Sequence, residues 1–357
     1  MRYGTDVSEV SQGILAIPAV ASLAPFVWAY GATLYVEELD KTFFHSLAQI
    51  KQAMMQAYPG IDFRGSIRAG RLSENRYPAY SSAMLYTGGV DSLATYIRHR
   101  EEKPLLISVG TIGPVSVNKL QRRIYDEILR FCAMEGAGLS WVESNITAFL
   151  SEAELSRDFG DHFVIKSWWW GIQHGLGLLG LSAPLAAARN IGHLYIAATF
   201  NHDFPHPCGS MPSIDGNVAW GSTTVSHDSY DLSRQMKIRR VIGPFIKDQG
   251  KEVRVIACND VNRQDHLNCC ECEKCFRTIA GLSLEGIDPN SSGFTVNEAT
   301  FEKMRQMLTD EESTNETKTF LWTDIQRHIP ERIEQDFYGS KAFFEWLKNY
   351  RLRNKHI

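Results

Sequence analysis

From residue 83 to residue 199, short apolar runs alternate with longer stretches of helical periodicity. Residues 83–86, 104–109, 139–142 and 194–199 have strand length, and helical patterns follow Asp91, span 118–134 and fill 164–189. Strands alternating with helices predict parallel pairing through right-handed crossovers, hence a doubly wound α/β sheet. Ligands of such sheets lie beyond the carboxyl ends of the strands. The loops 87–92, 108–113, 143–145 and 199–203 are therefore expected to share one crevice. Ahead of this core, residues 32–36 read as a strand and 40–58 as an amphipathic helix with Phe43, Phe44, Leu47, Ile50, Met54 and Ala57 on one face. Pro59-Gly60 stops that helix, and 61–67 reads as another short strand. The division that results is an α+β module over 1–80, the core over 81–290 and a helical extension over 291–357. In the extension, 295–308 and 320–329 read as helices. The tail carries Phe343, Phe344, Trp346 and Leu347 beside Lys348, Arg351, Arg353 and Lys355, the pattern of a helix docking onto the body or onto a partner.

Two uncharged runs, 13–36 and 167–188, raise the question of a membrane. Pro18 and Pro25 interrupt the first, and Gly171, His174, Gly175, Gly177, Gly180 and Pro184 the second, so both read as buried core. The 44% hydrophobic and 22% charged composition suits a packed interior. A net charge of -4 argues against a protein that coats nucleic acid. Arg64, Arg68, Arg71 and Arg76 are read as a solvated face. Four of the seven cysteines fall between Cys269 and Cys275, which is no disulfide frame and points to a reducing, cytoplasmic setting with a metal site.

Candidate chemistry is concentrated in three places. In Thr87-Gly88-Gly89-Val90-Asp91-Ser92 a strand runs through two glycines into a helix. Backbone without Cβ atoms can approach an anion closely, and the helix N-terminus favours phosphate. Asp91 could hold Mg²⁺ there, with the Thr87 and Ser92 hydroxyls on phosphate oxygens. No Lys follows the glycines and their spacing is not GxGxxG, so two commoner phosphate loops are excluded. Second, the loop Asn201-His202-Asp203-Phe204-Pro205-His206-Pro207-Cys208 gathers polar and aromatic groups, and 215–226 reads as a loop over the crevice. A helix is expected from His227-Asp228, capped by Asp231 or Ser233, with Arg234 and Lys237 on one face. That face either neutralises charge in the crevice or is a basic surface stripe. Third, Cys258 follows an apolar strand at 253–257, and Cys269, Cys272 and Cys275 follow in a C-x2-C-x2-C run. Four thiolates from two segments match tetrahedral structural Zn²⁺ at about 2.3 Å. An iron–sulfur cluster is the rival reading, and whether Cys270 replaces Cys269 is open. His174, His193, His202, His206 and His227 are too dispersed to define a second metal site.

Taken together, these motifs resemble a family. The glycine loop is similar to the SGGxDS loop of the N-type ATP pyrophosphatases, with Thr87 in place of the first Ser. Cys258, the CxxCxxC run and Cys275-Phe276-Arg277-Thr278 resemble the zinc site of 7-cyano-7-deazaguanine synthase, in the same order along the chain. Residues 204–209, with Cys208, resemble that family's Tyr-Pro-Asp-Cys-Arg turn, and Lys237 its helix-opening Lys. Over 83–284 the resemblance implies an adenine nucleotide alpha hydrolase-like fold with ATP, Mg²⁺ and Zn²⁺. It implies cleavage of ATP between the α and β phosphates and adenylation of a carboxylate. Asp91 and Ser92 would position Mg²⁺ and phosphate, and Arg234 or Lys237 would stabilise departing pyrophosphate. His202, Asp203, Phe204 and Asp215 would bind a flat deazaguanine. The chain departs from the family where Val109-Gly110-Thr111-Ile112-Gly113 replaces a Tyr-Gly-Gln-Arg-His run, and in its two extensions. In this it resembles longer homologues from antiphage systems, some of which attach a deazaguanine to a protein. Ammonia and a protein amino group are thus both expected acceptors, and a homodimer is compatible with the reading. A tRNA-modifying relative, a nucleotide-sensing module and a zinc-bearing scaffold are the alternatives.

Overall fold

A computed structural model describes residues 1–110, 118–249, 252–258, 266–310 and 315–352. Strand β1 (Arg2–Tyr3) precedes the short helix α1 (Gln12–Leu15) and α2 (Ile17–Ala29), which is buried on nearly every side. Strand β2 (Thr33–Asp40), α3 (Lys41–Ala57) and β3 (Ser66–Ser73) form a right-sized parallel unit, its register running from Thr33 opposite Ser66 to Asp40 opposite Ser73. Asp40 caps α3 by accepting from the Phe43 amide. The strand expected at 61–67 begins later, because Ile61 and Phe63 are drawn into the core and leave Ser66 as the first residue free to pair.

The main sheet follows. Strand β4 (Ser81–Leu85), α4 (Val90–His99), β5 (Leu105–Gly110), α5 (Lys119–Glu135) and β6 (Leu139–Glu143) alternate as the periodicity predicts. The loop residues Thr111, Ile112 and Gly113 lie outside the described residues. Next come α6 (Ile146–Phe149), α7 (Glu152–Phe159), a π-helical turn at Trp169–Gln173 and α8 (His174–Ala188). The single helix expected over 164–189 is thus broken at its start by the wide turn that carries Trp169 and Trp170. Strand β7 (Ile191–Ala197), α9 (Pro212–Asp215), β8 (Ala219–Trp220) and β9 (Thr223–Asp228) complete the sheet, whose order is β1-β6-β5-β4-β7-β9-β8. Five central strands are parallel; β1 and β8 are antiparallel edges that the sequence pattern did not announce.

Residues 215–226 are therefore not a simple loop, and no helix opens at His227. Both segments join the sheet, and the helix begins at α10 (Arg234–Lys237), capped by Ser233 Oγ on the Met236 amide. A π-turn leads to α11 (Gly243–Gln249). Val253, Val255, Ile256 and Ala257 are buried, but their segment pairs with no strand among the described residues. The C-terminal part adds α12 (Glu273–Leu284), α13 (Glu298–Thr309), α14 (Glu316–Arg327) and α15 (Ser340–Asn349). Phe343, Phe344 and Leu347 of α15 are buried against the body, while Arg353 and Lys355 lie outside the described residues.

Strict alternation decides how the sheet is covered. Ala83 and Leu85 face one apolar layer with Leu194 and Ile196, shared with α2, α3 and α8. Met84 and Tyr86 face the other, shared with α4, α5, α12 and the C-terminal helices. The chain order reverses at β4, whose neighbours are β5 and β7. Between such strands a crevice opens at their carboxyl ends. Among the described residues no helix is long and apolar enough to cross a membrane.

Candidate active site and metal centre

The carboxyl end of β4 opens into a cleft of about 320 Å³. Thr87, Gly89, Val90, Asp91 and Ser92 line one side, and Ala197 at the end of β7 and Thr199 beyond it line another. Gly88 adopts φ +72°, a left-handed conformation, and a Cβ there would stand 2.7 Å from Ile256 Cδ1. Glycine is thus required twice at this position, by backbone and by space. Its neighbour Gly89 is the N-cap of α4 and provides no side-chain cap, so the first-turn amides are available to an anion. Ser92 Oγ accepts from the Thr87 amide at 3.3 Å, tying the helix start back to the strand end. Of the four loops expected to meet here, Ser108 to Gly110 and Glu143 to Asn145 do not line the cleft.

Asp91 is the centre of a buried ion cluster. Arg234 Nη1 donates to its Oδ2 at 2.9 Å and Lys237 Nζ to its Oδ1 at 3.1 Å. Lys237 is wholly buried and also donates to the Ala198 carbonyl, at the end of β7. Arg234 reaches Thr278 Oγ1 on α12. Burial opposes the Asp91 charge, but Lys237, Arg234 and Lys274 together outweigh it and hold the carboxyl below its ordinary pKa. Lys274 lines the cleft from the opposite wall, its pKa pushed down to about 8 by burial and by Arg234. Among the described lining residues Asp91 is the one carboxylate, and it is already claimed by two cations. Among the described lining residues Arg234 and Lys274 outnumber that single carboxylate, a balance that suits a polyanion. Lys274 was missed in the sequence because it sits between two cysteines in a polar run, where a charge looks solvent-facing.

Those cysteines form the second centre. The sulfurs of Cys258, Cys269, Cys272 and Cys275 all lie within 4.8 Å of one another, an arrangement that can hold a metal ion. Cys269 Sγ accepts from the Glu271 and Cys272 amides at 3.4 and 3.2 Å, bonds that fix the sulfur within its loop. A hydrogen bond with Cys272 and burial push the Cys275 pKa far upward, and the charges of Cys272, Cys258 and Cys269 add to the rise. Cys270 is not a substitute ligand: at φ +57° it turns into the core, where its sulfur accepts from the Thr295 amide. The buried side chain of Asn268 joins the two ligand segments. It accepts from the amides of Ala257 and Cys258 and donates to the carbonyls of Val255 and Gly293. One residue back, the Ile256 amide donates to the Gly88 carbonyl at 2.8 Å, so the segment bearing Cys258 is bonded directly to the glycine loop. Cys258 itself lines the cleft.

The far wall consists of Trp170, His174, Leu178, Ile196 and Ser210. Behind it Asp215 is fully buried and accepts from Ser210 Oγ and from His227 Nδ1. The other residues singled out for substrate contact stand apart from the cleft lining. His202 and Asp203 are exposed and pair with each other. Phe204 stacks on Phe200 at 3.8 Å between centroids and meets Phe320 edge-on at 5.1 Å. Trp170 and His174 escaped notice in an uncharged run that reads as core. Comparison with protein-family models gives no match, and no curated protein matches the chain significantly.

Proposed function

We propose that the protein is an ATP-dependent enzyme that adenylates a carboxylate and passes the acyl group to an amine. The observation that carries this reading is the glycine loop sharing a single cleft with Asp91, Arg234 and Lys274, with the buried Lys237 paired to Asp91 beneath it. A triphosphate laid along the loop would receive the α4 amides and the Ser92 hydroxyl, while Arg234 and Lys274 would stabilise pyrophosphate as its charge develops. A Mg²⁺ ion would be held by Asp91, taking its remaining ligands from phosphate and water, and would offset phosphate charge. Binding would then require Asp91 to exchange its cations for the metal, freeing Arg234 and Lys237 for phosphate oxygens. The four cysteines suit structural Zn²⁺: sulfur donors, four of them, with no open position. Held there, the ion would fix the Cys258 segment that supports Gly88.

The sheet order and its two helical layers support an adenine nucleotide alpha hydrolase-like, doubly wound core, with the nucleotide at the strand reversal. The carboxylate substrate favoured by the resemblance is 7-carboxy-7-deazaguanine, lying toward Trp170 and Leu178, with ammonia or a protein amino group as acceptor. The test is incubation of the protein with ATP, Mg²⁺, 7-carboxy-7-deazaguanine and ammonium, with mass spectrometry of all products. AMP, pyrophosphate and an amide or nitrile are expected. AMP with a mass shift on an added protein would assign the protein acceptor, and absence of AMP would overturn the adenylating reading.

A further inference from the structure

We propose that His174 is the base that takes the proton from the attacking amine, with Asp215 as the positioning residue that holds the imidazolium so formed. The assignment rests on the adenylating reading and adds a residue to it. His174 opens α8 directly after the π-turn, and such turns recur at functional sites. Its Nδ1 lies 3.1 Å from the Trp169 carbonyl. A carbonyl only accepts, so Nδ1 carries the hydrogen and Nε2 of the neutral ring presents its lone pair. Among the described residues Nε2 has no hydrogen-bond partner, while the ring lines the cleft.

The ring is held on its Nδ1 side. Trp170 packs at 5.1 Å between centroids, and at Gly209 a Cβ would stand 2.9 Å from Nδ1 and 2.7 Å from the Ile172 backbone. Asp215 completes the setting. One of its oxygens accepts from Ser210 and His227; the other, Oδ1, is buried with no hydrogen-bond partner among the described residues. That oxygen points at the first turn of α8, where a Cβ on Gly175 would come within 2.4 Å of it. Burial pushes the His174 pKa below its ordinary value, Asp215 and the Trp169 carbonyl act in the opposite sense, and His227 adds to the lowering. The ring is thus neutral at pH 7, with a carboxylate placed to meet its charge. Arg234, Lys274 and Asp91 line the same cleft.

In the step assigned, the amine nitrogen attacks the carbonyl carbon of the acyl adenylate and the C–N bond forms. The C–O bond to AMP breaks, AMP leaves with the electron pair, and the proton shed by nitrogen goes to His174 Nε2 and then to water.

The experiment separates the two half-reactions. With 7-carboxy-7-deazaguanine, exchange of labelled pyrophosphate into ATP reports adenylation, and amide formation from ammonium reports transfer. His174→Gln should lose about 10²-fold in transfer, the scale of a general base, and lose far less in exchange. In Asp215→Asn the acid limb of the transfer rate should move to lower pH, because the ring loses its stabilising carboxylate; a purely structural role would not move it. Nitrogen NMR of His174 should show hydrogen on Nδ1. Equal transfer in His174→Gln would overturn the assignment, as would hydrogen on Nε2 or equal loss of exchange and transfer at an unchanged melting midpoint. Absence of exchange in the unchanged protein would remove the adenylating reading and the role of His174 with it.

Discussion

Replacing Asp91 with asparagine removes the one charge that holds two buried cations together. Lys237 would retain the Ala198 carbonyl and Arg234 the Thr278 hydroxyl as partners among the described residues. With side chains 0% and 6% exposed, neither cation can turn to bulk water for compensation. Breaking one side of a buried ion pair costs about 3–5 kcal/mol, a large share of the roughly 5–15 kcal/mol by which domains are stable. For two-state unfolding of a 357-residue chain, with an unfolding entropy of about 2.1 cal/mol/K per residue, that loss lowers the melting midpoint by roughly 4–7 °C. Inorganic pyrophosphate supplies the missing negative charge, so it should raise the midpoint of Asp91→Asn at least as much as that of the unchanged protein. Differential scanning fluorimetry with and without pyrophosphate, in the absence of Mg²⁺, reads both effects. A variant melting within about 1 °C of the parent, or one that ignores pyrophosphate while the parent responds, would refute this account of the cluster.

The metal centre predicts a stoichiometry: one zinc per chain by elemental analysis, retained in Cys270→Ser and lost in Cys272→Ser. Because the Ile256 amide bonds the Gly88 carbonyl, removing the metal with a chelator should weaken pyrophosphate binding measured by calorimetry, although no cysteine need touch the ligand. Gly88→Ala must place a Cβ at φ +72° and against Ile256; the backbone alone costs about 1–2 kcal/mol, and pyrophosphate binding should be lost while zinc content is unchanged. Asp228 accepts from Ser229 and pairs with His99 and Arg98. Burial raises its pKa, yet these partners leave it below the ordinary value, so it stabilises the fold above the unfolded carboxyl pKa of about 4 and loses that contribution as pH falls through the folded value. Denaturation of Asp228→Asn should therefore show a deficit at pH 7 that closes in strong acid; a pH-independent deficit would contradict the sign.

Much of the site was legible because its features are local. A strand, two glycines and a helix start declare themselves within twelve residues, and cysteines at metal-ligand spacing need only two segments to meet. Arg234 and Lys237 share a face by helical period alone, whatever lies before them. The failures came from tertiary context. Thr223 to Asp228 carries too few apolar residues to read as a strand; pairing with β7 and the contact of Asp228 with His99 hold it there. Phe204 was read as one of the residues that would bind a flat deazaguanine; in the fold Phe200 stacks on its ring and Phe320, more than a hundred residues later, packs beside it. Lys274 enters the cleft only because folding around Cys272 and Cys275 turns the start of α12 inward. His174 and Trp170 belong to a run whose uncharged composition announced burial and concealed a cleft wall. The segment 253–257 is as apolar as a strand, yet its backbone amides bond to carbonyls outside the sheet, Val255 to Ser292 and Ile256 to Gly88.

The most direct measurement of the central claim follows oxygen. With 7-carboxy-7-deazaguanine labelled by ¹⁸O in its carboxyl group, attack of the carboxylate on the α-phosphorus and later attack of the amine on carbon leave one labelled oxygen on AMP. The account predicts AMP heavier by one ¹⁸O, together with unlabelled pyrophosphate. Unlabelled AMP, or ADP in place of AMP, would contradict it.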